Sequence, residues 1–125
     1  MDELRALLDL CSADGAPLLT VILSGHPRVR GGLKRMHSVV QRLEVGFELQ
    51  PLEVEEGKAY ILHRLKLAGA ADALFDDDAL AGAVKAGEGT PRLINRVCDL
   101  SLLMGMIEKR DHVSLALVEA AGAEM

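Results

Sequence analysis

The sequence predicts a chain of two parts, an α/β fragment with two short strands followed by an all-α bundle. Three observations carry this expectation. Leu18 to Leu23 form an apolar run broken only by Thr20 and rich in β-formers, the pattern of a strand covered on both faces. Val45, Phe47 and Leu49 alternate with Gly46 and Glu48, the pattern of a strand with one wetter face. Beyond Pro51 the apolar positions recur with helical spacing to the C-terminus. We therefore expect units at 1–50 and 51–125, mostly helical apart from the strands at 18–23 and 45–49.

Residues 2–11 place Leu4, Leu7, Leu8 and Cys11 on one helical face, with Asp2 and Glu3 in the first turn, where acids suit the helix dipole. Ser12 to Pro17 is loop chemistry. Ser24-Gly25-His26-Pro27 ends the first strand, and a basic segment follows with Arg28, Arg30, Lys34, Arg35 and Arg42 and no acid among them. A helix over 53–68 carries Val54, Tyr60, Ile61, Leu62 and Leu65 and stops at Gly69. Asp76 or Asp77 caps the next helix, which runs to about Ala86 and is broken by Gly87-Glu88-Gly89. Thr90-Pro91 then opens a helix to about Arg110, with a hydroxyl at the N-cap and proline at the first helical position. This helix is apolar over most of its circumference except for a stripe of Arg92, Asn95, Arg96 and Asp99, which makes it the central helix of the bundle. A last short helix covers about 114–121.

The 125 residues are half hydrophobic, enough for a packed core, and carry a formal charge of −5. Phe47, Tyr60 and Phe75 are the whole aromatic complement, too few for a single-strand stacking platform. The acidic balance disfavours an autonomous DNA-binding domain, although the basic stretch from Arg28 to Arg42 leaves nucleic acid possible. Cys11 and Cys98 occupy apolar helical positions and read as reduced core residues. No apolar run is long enough to span a membrane, and Met1-Asp2-Glu3 is unlike the basic start of a secretory signal. A cytoplasmic protein without a membrane segment in this chain is expected.

Gly89-Thr90-Pro91-Arg92-Leu93-Ile94-Asn95 is the most informative string. A guanidinium in a first helical turn opposes the dipole, which suits an external phosphate or carboxylate; the competing reading pairs Arg92 with Asp99 or a neighbouring acid on the same stripe. Ser24 and His26 stand at a strand end, where open α/β sheets meet ligands, or else simply cap a turn. Arg42 follows Val39 and Val40 on a short basic helix and is a solvated residue unless a partner meets it. No G-x-x-x-x-G-K-[ST] phosphate loop occurs anywhere, no His/Cys set has metal-ligand spacing, and Ser24 lacks the glycines of a nucleophile elbow.

Taken in order, these strings resemble AAA+ ATPases of the general secretion pathway protein A type. Leu23-Ser24-Gly25-His26-Pro27-Arg28-Val29 is similar to that family's "LVGQPEL", and Gln41-Arg42-Leu43 to its "QRI". Leu49-Gln50-Pro51-Leu52 resembles "LPPL", and Ala59-Tyr60-Ile61-Leu62-His63-Arg64-Leu65 resembles "AYIRHRL". Residues 89–99 are close to "GIPRLINRLCD", and the likeness runs in register from about Glu3 to Val118. His26 stands where the family has glutamine, and Glu53-Val54 where its helix opens with Ser-Pro.

The resemblance implies the C-terminal portion of a P-loop NTPase fold, a partial RecA-like core at 1–50 and a helical lid at 51–125. It implies that Arg92, with Pro91 beside it, is the sensor 2 arginine reaching the nucleotide's γ-phosphate, and that Arg42 is an arginine finger acting on a neighbouring subunit. Ser24 and His26 align with sensor 1, which orients the attacking water. Cations aimed at developing charge suit phosphoryl transfer. The parent would use ATP with magnesium in a secretion or envelope-assembly process. This chain alone, without the phosphate loop and metal acids, should neither hydrolyse ATP nor bind it tightly. In the implied sheet the phosphate-loop strand lies between the two strands found here, so self-association or pairing with the ATPase half or a neighbouring subunit is expected. The alternative is a non-enzymatic interaction or DNA-binding module related to the transposition ATPases.

Overall fold

The computed structural model describes residues 6–7, 10, 14–34, 37–41, 45–70 and 74–125. The chain divides into two compact units, Met1–Leu49 and Gln50–Met125.

In the first unit the described helices are short: α1, Val29–Leu33, and α2, His37–Val40. Of the helix expected over 2–11, Ala6 and Leu7 are described and helical; the remainder, Cys11 included, lies outside the described residues apart from Leu10. The two expected strands do not form: neither 18–23 nor 45–49 carries a strand assignment. The expected α/β character of this unit is corrected accordingly. β-Propensity measures how well a side chain fits a paired, half-buried surface, and without a ladder partner it leaves N–H and C=O groups to water. Ile22, Phe47 and Leu49 are 86%, 88% and 96% exposed, so much of the apolar surface of these segments lacks the cover a strand needs. One long-range ion pair of this unit joins Arg30 Nη1 to Glu48 Oε2 at 2.9 Å.

The second unit is a four-helix arrangement of α3 (Val54–Leu67), α4 (Asp77–Ala86), α5 (Pro91–Ile107) and α6 (Leu115–Ala123). α3 opens with the Glu53 N–H donating to Glu56 Oε2 at 3.0 Å, the N3 carboxylate's half of a capping box. It closes at Gly69, φ +74°, with the Ala70 N–H returning to the Leu65 carbonyl at 3.0 Å. α4 is pinned to α3 by Lys58 Nζ on Asp77 Oδ1 at 2.6 Å. Gly57 lets the two helices approach, since any Cβ there would overlap the Val84 methyls.

α5 begins at Pro91 as expected, but the Thr90 side chain makes no capping bond; the proline's fixed φ and the Gly87–Gly89 turn set the start instead. The helix ends at Ile107 rather than near Arg110, because Lys109 turns to φ +55° and the Arg110 N–H bonds to the Gly105 carbonyl. Ile94, Val97 and Cys98 of α5 are buried in one cluster with Ala79, Leu80, Ala83 and Val84 of α4 and Leu117 and Val118 of α6. The central place expected for α5 falls to α4, which packs more extensively against the other three helices, because α5 leaves Leu103, Met106 and Ile107 exposed. The segments before α4 and α6 pair through a parallel bridge between Phe75 and Val113, with the Val113 N–H on the Leu74 carbonyl at 2.8 Å and the Asp76 N–H on the Val113 carbonyl at 3.1 Å.

Candidate functional site

The α4–α5 turn sets the start of α5. Glu88 and Gly89 have φ of +49° and +65°, and the Thr90 N–H closes back on the Gly87 carbonyl at 2.8 Å. Leu52, at the entry to α3, donates its N–H to the Gly89 carbonyl at 2.9 Å, so the starts of α3 and α5 are held side by side. A Cβ at residue 89 would strike the Leu52 carbonyl, which leaves only glycine at this left-handed position. An open cleft of about 490 Å³ lies beside the turn, lined by Leu52, Val54, Val84, Lys85 and Glu88 among others.

Arg92 follows Pro91 in the first turn of α5 and is exposed. It has no ion pair or side-chain hydrogen bond among the described residues; the pairing with Asp99 weighed above is not made. Asn95, one turn on, is half-buried and accepts a hydrogen bond from the Tyr60 hydroxyl at 3.1 Å. That bond crosses from α3 to α5 and fixes the wall beside Arg92. It joins residues 35 apart, so helical spacing did not disclose it; the signals available were the chain's single tyrosine and an asparagine on an otherwise apolar helix.

Ser24 and His26 belong to the first unit. The His26 carbonyl accepts the Val29 N–H at 2.8 Å, and its Nδ1 accepts the Arg28 N–H at 3.3 Å, which is how a histidine caps a turn. Arg42 lies outside the described residues. Cys98 is a free, buried thiol, and burial, with the neighbouring Asp99 carboxylate adding to it, pushes it up to about 11. Among the described residues no group of three or more His, Cys, Asp or Glu is placed to hold a metal, and no helix is long and apolar enough to cross a membrane.

Over 129 aligned residues, 98% of its length, the chain is 33% identical to the General secretion pathway protein A of Aeromonas hydrophila. It is similar to a secretion-pathway protein. The chain spans about a quarter, 23%, of that relative's length, so the match speaks for this segment and not for the rest of the relative. No protein-family model matches the chain. No solved structure matches it significantly.

Proposed function

We propose that the chain is the sensor-and-lid segment of an AAA+-type ATPase serving a secretion or envelope-assembly process. The similarity to General secretion pathway protein A supports the process, and the ordered motif series supports the segment. The observation that carries the reading is Arg92: an exposed guanidinium in a first helical turn, opposed to the dipole and without a carboxylate partner among the described residues. Such a group is available to an incoming phosphate.

On this reading the four-helix unit is the lid, and Arg92 reaches the γ-phosphate of ATP, the substrate. Arg42 serves a neighbouring subunit's nucleotide, and Ser24 and His26 lie in the sensor 1 region. No phosphate loop occurs in this sequence and no described acid cluster suits magnesium, so both would come from another part of a longer protein, and this chain alone is inactive. Apolar side chains of 18–23 and 45–49 exposed to water favour self-association or cover by that other part. Light scattering across a tenfold concentration range should show mass rising with concentration; a constant monomer mass overturns the self-association.

The deciding experiment is Arg92→Ala in the phosphate-loop-containing parent. ATP turnover should fall by about tenfold or more, the scale of losing one cation aimed at the transferring phosphoryl group, while nucleotide still binds. Unchanged turnover overturns the sensor 2 role.

A further inference from the structure

The outer face of α5 is divided along its length. Arg92, Arg96, Asp99, Leu103, Met106 and Ile107 fall within about 120° of arc, opposite the buried Ile94, Val97 and Ser101. The stripe runs about 25 Å, the length of the helix. Its first half is cationic and its second half apolar, with Met106 and Ile107 75% and 73% exposed. On α3, exposed Arg64 and Leu67 lie one and two turns beyond Tyr60 on the same side of that helix, and Tyr60 is bonded to Asn95 at the edge of the stripe.

Charge in this unit is strongly uneven. Residues 50–125 hold eight Lys and Arg against thirteen Asp and Glu, yet the side of α3 from Tyr60 through Arg64 to Leu67 and the outer stripe of α5 together carry three cations (Arg64, Arg92, Arg96) and a single acid, Asp99. An acidic domain has thus placed three of its eight cations, Arg64, Arg92 and Arg96, on these exposed sides of α3 and α5, next to uncovered leucine, methionine and isoleucine.

We propose that this face, from Arg96 to Ile107 with Arg64 and Leu67 beside it, docks an acidic helical segment of a protein partner. Carboxylates at one end of that segment meet Arg96 and Arg64, and apolar residues at helical spacing at the other end cover Leu103, Met106 and Ile107. A lipid surface fits less well. Membrane-surface helices separate charge from apolar residues around the circumference, whereas here the separation runs along the axis. An extended anionic surface would also repel the acids on the rest of the unit. The inference is independent of the nucleotide reading, which Arg92→Ala tests and Ile107→Asp does not.

The probe is a fluorescein-labelled helical peptide with four glutamates in its first two turns and leucines at i, i+3, i+4 and i+7 in its last two, titrated with the full chain by anisotropy. Saturable binding is expected, stronger than that of a scrambled peptide of the same composition. Arg96→Glu and Ile107→Asp should each weaken it by about tenfold or more. A peptide with lysines in place of the glutamates should recover binding to Arg96→Glu. Both substitutions are at exposed sites and should leave the far-UV circular dichroism unchanged; should either variant lose helix, Arg96→Gln and Ile107→Ser replace them. Equal binding of the scrambled peptide, unchanged affinity in either variant, or no saturable binding overturns the proposal. Binding to phosphatidylglycerol vesicles that the peptide does not compete overturns it in favour of a lipid surface.

Discussion

The Tyr60 hydroxyl donates to Asn95 Oδ1 at 3.1 Å, joining α3 to α5 one helical turn beyond Arg92. The bond is half-buried and lies where the first halves of the two helices meet. Because the pair is half-buried, the group left behind by removing its partner can still reach water, so the loss is the net value of the bond. Tyr60→Phe should therefore lower the unit's stability by about 0.5–1.5 kcal/mol in urea unfolding followed by circular dichroism. Asn95→Ala should cost a similar amount, and the double variant less than the sum; strict additivity would show that the two groups are not coupled.

Gly57 faces Val84 across the α3–α4 contact, with no room for a methyl. Gly57→Ala gains helix propensity of about 1 kcal/mol but forces the helices apart, at a typical overpacking cost of about 1–3 kcal/mol. Net destabilisation is expected, and adding Val84→Ala should relieve part of it. A stabilised Gly57→Ala variant in thermal unfolding would refute the close approach.

Cys98 is buried, and its thiol is raised to about 11. At pH 8 its thiolate population is on the order of a hundredfold below that of a free cysteine. In a Cys11→Ser background, the disulfide reagent DTNB should modify Cys98 only as the unit unfolds in denaturant. Rapid modification of the native chain would contradict its burial.

Lys58 bonds Asp77 at 2.6 Å and Glu55 at 3.6 Å, and the bond to Asp77 is the main reason its pKa is raised above 10.5, against a smaller opposing effect of burial. A raised pKa means that the folded state holds the proton more tightly than the unfolded one. The stabilisation is thus complete below pH 10.5 and is lost as pH rises through the folded value. The stability gap between the native chain and Lys58→Met should be constant from pH 6 to 9 and should shrink above 10.5. Comparing the two chains cancels the other groups that titrate there, Cys98 included. A gap that does not change across that range would show that the pair does not contribute.

The helices of the second unit were legible because their punctuation is local. Pro91, Gly69 and the Gly87–Gly89 turn act on their own backbone, and α3 to α6 start and stop within about three residues of where those signals stand. Thr90 misled in detail, since Pro91 and the preceding turn start the helix without its hydroxyl. In the first unit the apolar runs at 18–23 and 45–49 spoke for strands, but a strand is a property of a ladder between two segments, and neither run carries a strand assignment.

The sequence by itself determined where the second unit is helical and that Arg92 stands in a first turn against the dipole. Those are properties of neighbours along the chain, settled by caps, glycines, prolines and the 3.6-residue repeat. Only the tertiary structure decided that Tyr60 meets Asn95, that Lys58 meets Asp77, that Gly57 makes room for Val84, and that α5 leaves Leu103, Met106 and Ile107 uncovered. α5 is apolar nearly all round, so its pattern alone could not say which side would be covered. That choice fell to α4 and α6, which bury the side bearing Ile94, Val97 and Ser101 and leave the opposite one to water.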